Sequence, residues 1–263
     1  MKKVNSIYEN KNTIINEIDP FVKYLGVLLL GTSSLISPSP ILGYILLIFL
    51  IFVAYQARFI KEFIIFIFSF GIPILLMLGV IQGIFSSKNH TILFSISHVN
   101  FYLEGIIIAL KIVGSLLVFI GAFWITSKTT ETGRMVASFE RVGLKGYAGY
   151  LILATLRVIP QMQSRMRVIK NAQNARGLET EGNLLKRIKA FIPLIGPIIM
   201  SSLLDVEERG MTLELRGFTI KGIKKTRLIE AIETNRDRKI KRFLWIYFFV
   251  STIISFYLRI MGG

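Results

Sequence analysis

Two arginine–glycine pairs, Arg176-Gly177 in "NAQNARGLE" and Arg216-Gly217 in "LELRGFTIK", stand about forty residues apart, each at the end of a helix-like stretch. A guanidinium held at a helix end presents a planar fork of N–H donors to a carboxylate or a carbonyl cluster on another protein. The same pair also suits a plain helix terminus, where a basic residue complements the dipole and glycine takes the left-handed C′ position. Bond-making chemistry finds no comparable residues. There is no Gly-x-x-x-x-Gly-Lys-Ser/Thr phosphate cradle; the nearest approach, "GFTIKGIKKT" from Gly217, has Ile223 where lysine is required. His90 and His98 lack carboxylates at ligand spacing and the chain has no cysteine, so no metal site is expected. No Ser-His-Asp or Cys-His arrangement is visible, and the chain reads as a non-enzyme without cofactors.

The elements that must position these arginines follow from patterning. Tyr147 to Pro160 and Ala190 to Leu204 are apolar pieces, each shorter than a comfortable membrane span and suited to buried or interfacial helices. Each leads into a charged, amphipathic helix, Gln161 to Gly177 and Ser201 to Gly217. In the first, Met162, Met166 and Ile169 recur on one helical face. In the second, Leu204, Met211 and Leu215 lie on one side, with Asp205, Glu208, Arg209 and Arg216 spread mainly over the rest.

The remainder is membrane-like. The 263 residues are 52% hydrophobic yet carry a net charge of +16, and the mean hydropathy is +0.59. Those values coexist only if charge is segregated from the apolar runs. Five runs satisfy this: Phe21 to Ile36, Ile41 to Ala57, Phe63 to Phe85, Phe101 to Thr126 and Phe243 to Leu258. The polar N-terminal stretch has no signal-peptide pattern. The expected fold is all-α and polytopic, with about five transmembrane helices plus long amphipathic cytoplasmic coupling helices. The expected division is a four-span membrane region over 1–126, a cytoplasmic coupling region over 127–241 and a final span over 242–263. An inside N-terminus keeps the roughly twenty Lys and Arg of residues 127–241 in the cytoplasm of a multi-pass plasma-membrane protein. Gly79-Val-Ile-Gln-Gly83 is a small-x-x-x-small pattern that admits a close helix neighbour.

Three segments together resemble the transmembrane coupling subunit, or T component, of energy-coupling factor importers: "QNARG", "PLIGPIIMSSLLDVEERGMTLELRGF" and the N-terminal "IDPFVKYLGVLLL". The family's Asp-Pro-x-x-Lys entry to the first span is matched by Asp19, Pro20 and Lys23, and its Ala-Arg-Gly helix end by Ala175, Arg176 and Gly177. At the second helix end Leu215, Arg216 and Gly217 keep the arginine and glycine but replace the alanine. The resemblance implies that both triplets dock on two cytoplasmic ATP-binding subunits, while a separate small membrane subunit binds the substrate. It implies transport of a vitamin or metal ion. Methionine adapts its shape, so Met162, Met166 and Met211 read either as a candidate docking surface for the substrate subunit or as gap-filling core residues. The lipid bilayer is the surrounding partner and nucleic acid is not expected.

Two rival readings weigh less. A membrane-anchored basic module binding anionic lipid or nucleic acid calls for a denser Lys/Arg cluster than residues 127–241 hold. A stand-alone permease normally carries ionisable groups within its spans, where this chain offers only Glu104 and Lys111.

Overall fold

A computed structural model describes residues 11, 13–85, 91–96, 99–177, 184–218, 220 and 233–261. The elements are α1 (Ile14–Glu17), α2 (Pro20–Ile36), α3 (Pro40–Gln56), α4 (Ile60–Phe85), β1 (Ile92–Ile96), β2 (Val99–Tyr102), α5 (Leu103–Thr129), α6 (Thr132–Val142), α7 (Gly146–Ala175), α8 (Leu184–Leu215) and α9 (Asn235–Met261). Each of the five apolar runs falls mainly in its own helix, the fourth starting with two residues of β2. Three, Ile60–Ile84, Leu103–Thr129 and Asn235–Met261, are long and apolar enough to cross a membrane. The helices α2 and α3 have 17 residues each, the short end of the spanning range of about 17–25. Local chemistry sets their starts. Pro20 and Pro40 occupy first-turn positions whose N–H is dispensable, and the caps Asp19 and Ser39 accept from the amides of Phe21 (2.9 Å) and Ile41 (3.3 Å). The turn carrying Pro38 stops α2 before α3 begins.

The chain divides into two compact units. The first is Met1–Leu144 with Ile229–Gly263, the second Lys145–Leu228. In the first, α5 is the central post, packed by α2, α3 and α4, while α9 lies on α2. Val22, Leu30, Leu46, Leu50, Phe63 and Val118 form its dry interior. Small residues bring the backbones close. Ser34 donates to Ser115 Oγ at 3.1 Å, and a Cβ on Gly105 would fall 2.1 Å from the Gln82 carbonyl and 2.9 Å from the Gly83 Cα. Gly83 therefore serves the α4–α5 contact within the chain, whereas Gly79 faces open space. Ile48, Ile65, Phe68 and Phe256 stay exposed, as side chains facing acyl chains would be.

Two features depart from the patterning. A two-stranded antiparallel hairpin, β1 with β2, precedes α5, where only a loop was expected. Glu104 pins the segment before it by accepting the amide of Thr91 at 3.1 Å. The second departure is that α7 and α8 run unbroken through Pro160 and through Pro193 and Pro197, so each apolar piece and its amphipathic continuation form one rod. An interior proline removes one ladder bond, and long arms on both sides hold the helix in register across it.

The helix α6, which follows the end of α5, packs on the first unit through α2. Asp19 accepts from Ser138 and pairs with Arg141, and Arg134 donates to the carbonyls of Asn16 (2.9 Å) and Glu17 (3.0 Å). The Asp19 amide donates to Asp237 Oδ1 at 3.1 Å, and Asp237 Oδ2 accepts from the Thr234 amide at 2.9 Å, which caps the start of α9. Lys23 donates to the Thr129 carbonyl at 2.9 Å. The Asp-Pro-x-x-Lys segment thus fastens the same ends of α2, α5, α6 and α9.

Candidate docking site on the paired helices

Both arginine–glycine pairs are helix ends with the geometry expected of them. At α7 the amides of Arg176 and Gly177 donate to the carbonyls of Gln173 and Asn174, each at 3.0 Å, and Gly177 has φ of 88°. At α8 Gly217, with φ of 70°, donates to Glu214 at 2.9 Å, and Phe218 reaches back to the Leu213 carbonyl at 2.9 Å. That is a Schellman arrangement, with glycine supplying the left-handed residue. Ala175, Arg176, Leu215 and Arg216 are exposed, Leu215 at 90%, and Gly217 is half-buried.

The rods are antiparallel and clasped near their middles. Arg165 pairs with Asp205, its Nη2 lying 2.7 Å from Oδ1 and 2.6 Å from Oδ2, and its Nη1 donates to the Ser201 carbonyl at 3.2 Å. Gln161 bridges the same seam, donating to Asp205 at 3.4 Å and accepting from Arg209 at 2.5 Å. Toward the far end Phe218 sits against the Tyr150 ring at 5.0 Å, so the residue after Gly217 is tied to the first turns of α7. From the seam, Arg176 and Arg216 lie on arms of about 16–20 Å each at 1.5 Å per residue, pointing in opposite senses along the pair. Their separation is therefore at most about 40 Å.

The seam is polar. Asp205 and Arg209, which lie off the apolar stripe, join the helices. The stripe itself is open: Leu204 is 58% exposed and Met211 53%. Of the methionines, Met162 is half-buried and accepts from Ser202 Oγ at 3.5 Å in the seam, while Met166 and Met211 are exposed. The pairing of Gln161, Arg165, Asp205 and Arg209 in one seam and the tilted Tyr150–Phe218 ring contact escaped the sequence reading. No group of three or more His, Cys, Asp or Glu able to hold a metal occurs among the described residues.

Residues 11–227 match the family model described as cobalt transport protein. The chain is 28% identical over 226 residues to the energy-coupling factor transporter transmembrane protein of Lactococcus lactis, covering 79% of this chain and 81% of that one. Against the protein of the same description from Brevibacillus brevis it is 26% identical over 240 residues, covering 88% and 89%. A third, from Staphylococcus aureus, is 32% identical over 124 residues, covering 45% of this chain and 46% of the relative. The matched region takes in the apolar helices α2 to α5 and both arginine–glycine ends, and with it this chain belongs to the cobalt transport protein family, which has transmembrane proteins of energy-coupling factor transporters among its relatives.

Proposed function

We propose that this chain is the membrane scaffold of an energy-coupling factor importer and transmits ATP-driven motion from two cytoplasmic ATP-binding subunits to a separate membrane subunit that carries a vitamin or metal ion. The observation that carries the reading is the pair of exposed arginines at opposite ends of one clasped helix pair, each set by a glycine C′ residue. Two ATP-binding subunits need two anchors that move with them, and a clasped pair of rods supplies both. Ala175, Arg176 and Gly177 dock on one subunit, Leu215, Arg216 and Gly217 on the other. Closure of the ATP-binding pair changes the separation of the helix ends, the rods turn about the Arg165–Asp205 seam, and the exposed apolar faces with Met166 and Met211 shift under the substrate subunit. Such coupling requires contacts that differ between the two nucleotide states. The concentration of Lys and Arg in residues 127–241 supports a cytoplasmic side for the N-terminus and both rods.

The test is substitution at the two arginines. A guanidinium seated in a partner groove leaves its acceptor unpaired when truncated, a loss of about 2 to 5 kcal/mol. A purely capping arginine contributes only about 0.3 to 1 kcal/mol. Either Arg176→Ala or Arg216→Ala is expected to impair uptake with the protein still folded in the membrane, and the double variant to lose the ATP-binding subunits on purification. Lysine restores function only in part, because it lacks the planar fork. Wild-type uptake by the double alanine variant refutes the docking role.

A further inference from the structure

The first unit contains a cavity of about 690 Å³ that the coupling mechanism does not use. It lies between α3 and α9 and is floored by α2 and α5, with Val27, Leu30, Ile45, Leu50, Phe243 and Tyr247 among its walls. Its charged side chains gather at one end, with a glutamine and a threonine. Lys23 begins α2, Gln56 ends α3, Thr129 ends α5 and Lys239 begins α9, and all four line the cavity. Because α2 and α9 run opposite to α3 and α5, these four positions share one level.

The depth of the cavity identifies its occupant. From Gln56 to Ile45 along α3 is about 16 Å at 1.5 Å per residue, which is about half of a hydrocarbon core roughly 30 Å thick. The cavity is therefore one leaflet deep, apolar along its length and cationic at headgroup height. Lys23 commits N–H donors to the Thr129 carbonyl and hydroxyl at 2.9 and 3.3 Å, which holds its ammonium at the polar end. Lys239 is exposed. Of the charges facing Lys23, Asp19 pairs with Arg141, and Asp237 stands as one carboxylate against the cations Lys23, Arg134 and Lys239, so the polar end keeps a net positive charge. Ile45, Phe49 and Phe243 leave the wall open to the surrounding chains, at 59%, 47% and 66% exposure.

We propose that this groove binds an anionic phospholipid, with an acyl chain between α3 and α9 and the phosphate between Lys23 and Lys239. On the orientation given above, the lipid belongs to the cytoplasmic leaflet. The binding itself depends only on the groove, so it stands or falls separately from docking at the arginines.

The test is native mass spectrometry of the full chain in mild detergent, titrated with palmitoyl-oleoyl phosphatidylglycerol or with phosphatidylcholine of the same chains. One retained phosphatidylglycerol is expected, preferred by about tenfold or more, since each lysine near a phosphate contributes about fivefold. Lys239→Glu, at an exposed lysine with no side-chain hydrogen bond or ion pair among the described residues, is expected to abolish the preference with the melting temperature unchanged. Ile45→Trp, which fills the deep end, is expected to weaken both lipids alike. Equal retention of the two lipids by the wild type, or an unchanged preference in Lys239→Glu, overturns the proposal. So does full competition by glycerol phosphate, which has the head but no tail. A photo-crosslinking residue in place of Phe243 in native membranes is expected to give lipid adducts; adducts to a membrane protein in their place assign the groove to a protein partner and overturn it as well.

Discussion

The Arg165–Asp205 clasp sets the largest local effect expected from a single atom group in the helix pair. Asp205→Ala removes the acceptor for two Arg165 contacts and one Gln161 contact, at 2.7, 2.6 and 3.4 Å. Fully exposed ion pairs contribute about 0 to 1 kcal/mol, and breaking a buried one costs about 3 to 5. With side-chain exposures of 29% and 26%, this pair lies between those limits. Charge-assisted hydrogen bonds of that kind are worth about 1.5 to 3 kcal/mol, so a loss of about 2 kcal/mol follows. That corresponds to roughly 30-fold in the local opening equilibrium of α7 on α8. Hydrogen exchange on the full chain reads this directly, because local opening is resolved segment by segment. Amides around Gln161 to Ile169 and Ser202 to Arg209 are expected to exchange about 30-fold faster in Asp205→Ala, by that 2 kcal/mol, while α5 is unchanged. Arg165→Asp combined with Asp205→Arg is expected to recover part of the protection. Exchange in Asp205→Ala within about twofold of wild type, or a charge swap worse than both single variants, refutes the clasp as the element that holds the rods together.

Further outcomes follow from individual residues. Gly217→Ala places a Cβ on a residue at φ of 70°, 3.1 Å from Ile220 Cδ1, and is expected to cost about 1 to 2 kcal/mol, fraying the last turn of α8 and reducing capture of ATP-binding subunits with Arg216 intact. Gly177→Ala, at φ of 88° but facing open space, is expected to show the backbone penalty alone, about 1 kcal/mol by exchange of the final α7 turn. Asp19→Ala removes the carboxylate that Ser138 and Arg141 share, at a site only 2% exposed, and a stability loss of about 3 kcal/mol is expected in thermal unfolding of the full chain. Met211→Glu is expected to fold normally and to release the substrate subunit in pull-downs, whereas Met162→Glu, in the seam, should loosen α7 from α8 by hydrogen exchange. Asn89→Cys, in a chain with no native cysteine and at a position outside the described residues, is expected to react with impermeant thiol reagents in intact cells; resistance reverses the proposed orientation.

The membrane helices were legible because hydrophobicity over about 20 residues is a strong signal and proline marks the starts of α2 and α3. The arginine–glycine ends were legible for a related reason, since glycine at C′ is a local backbone requirement that sequence displays directly. The α7–α8 seam was not. Periodicity assumes that apolar faces pack inward, an assumption drawn from helices that contribute to a water-soluble core. Here Leu204 and Met211 remain exposed and Asp205 and Arg209 meet the neighbouring rod. The interior prolines misled for a similar reason: Pro160 marks a boundary in an isolated helix but only a lost ladder bond in a rod with long arms on both sides. The hairpin before α5 gave little warning, because its short apolar strands continue into the pattern of the following span.

The inverted polarity of the helix pair follows from the work proposed for it. A scaffold that must bind membrane partners along its rods needs apolar side chains outward, and that leaves polar groups to join the rods to each other. A charged seam of fixed partners also sets register: sliding α7 by one turn past α8, about 5.4 Å, would separate Arg165 from Asp205 and Gln161 from Arg209 at once. An apolar seam would tolerate that slip with little change in buried area. With the clasp near the middle and arms of similar length, a displacement imposed at the Arg176 or Arg216 end is carried to the other end at similar amplitude. On the proposed function, register at the seam is what would let motion at the arginines reach the substrate subunit without being absorbed as sliding between the rods. A variant with the seam replaced by leucine, Arg165→Leu with Asp205→Leu, separates cohesion from register. It is expected to keep the rods paired and both ATP-binding subunits bound, yet to lose uptake while ATP hydrolysis continues. Uptake at the wild-type level in that variant would show that cohesion alone suffices.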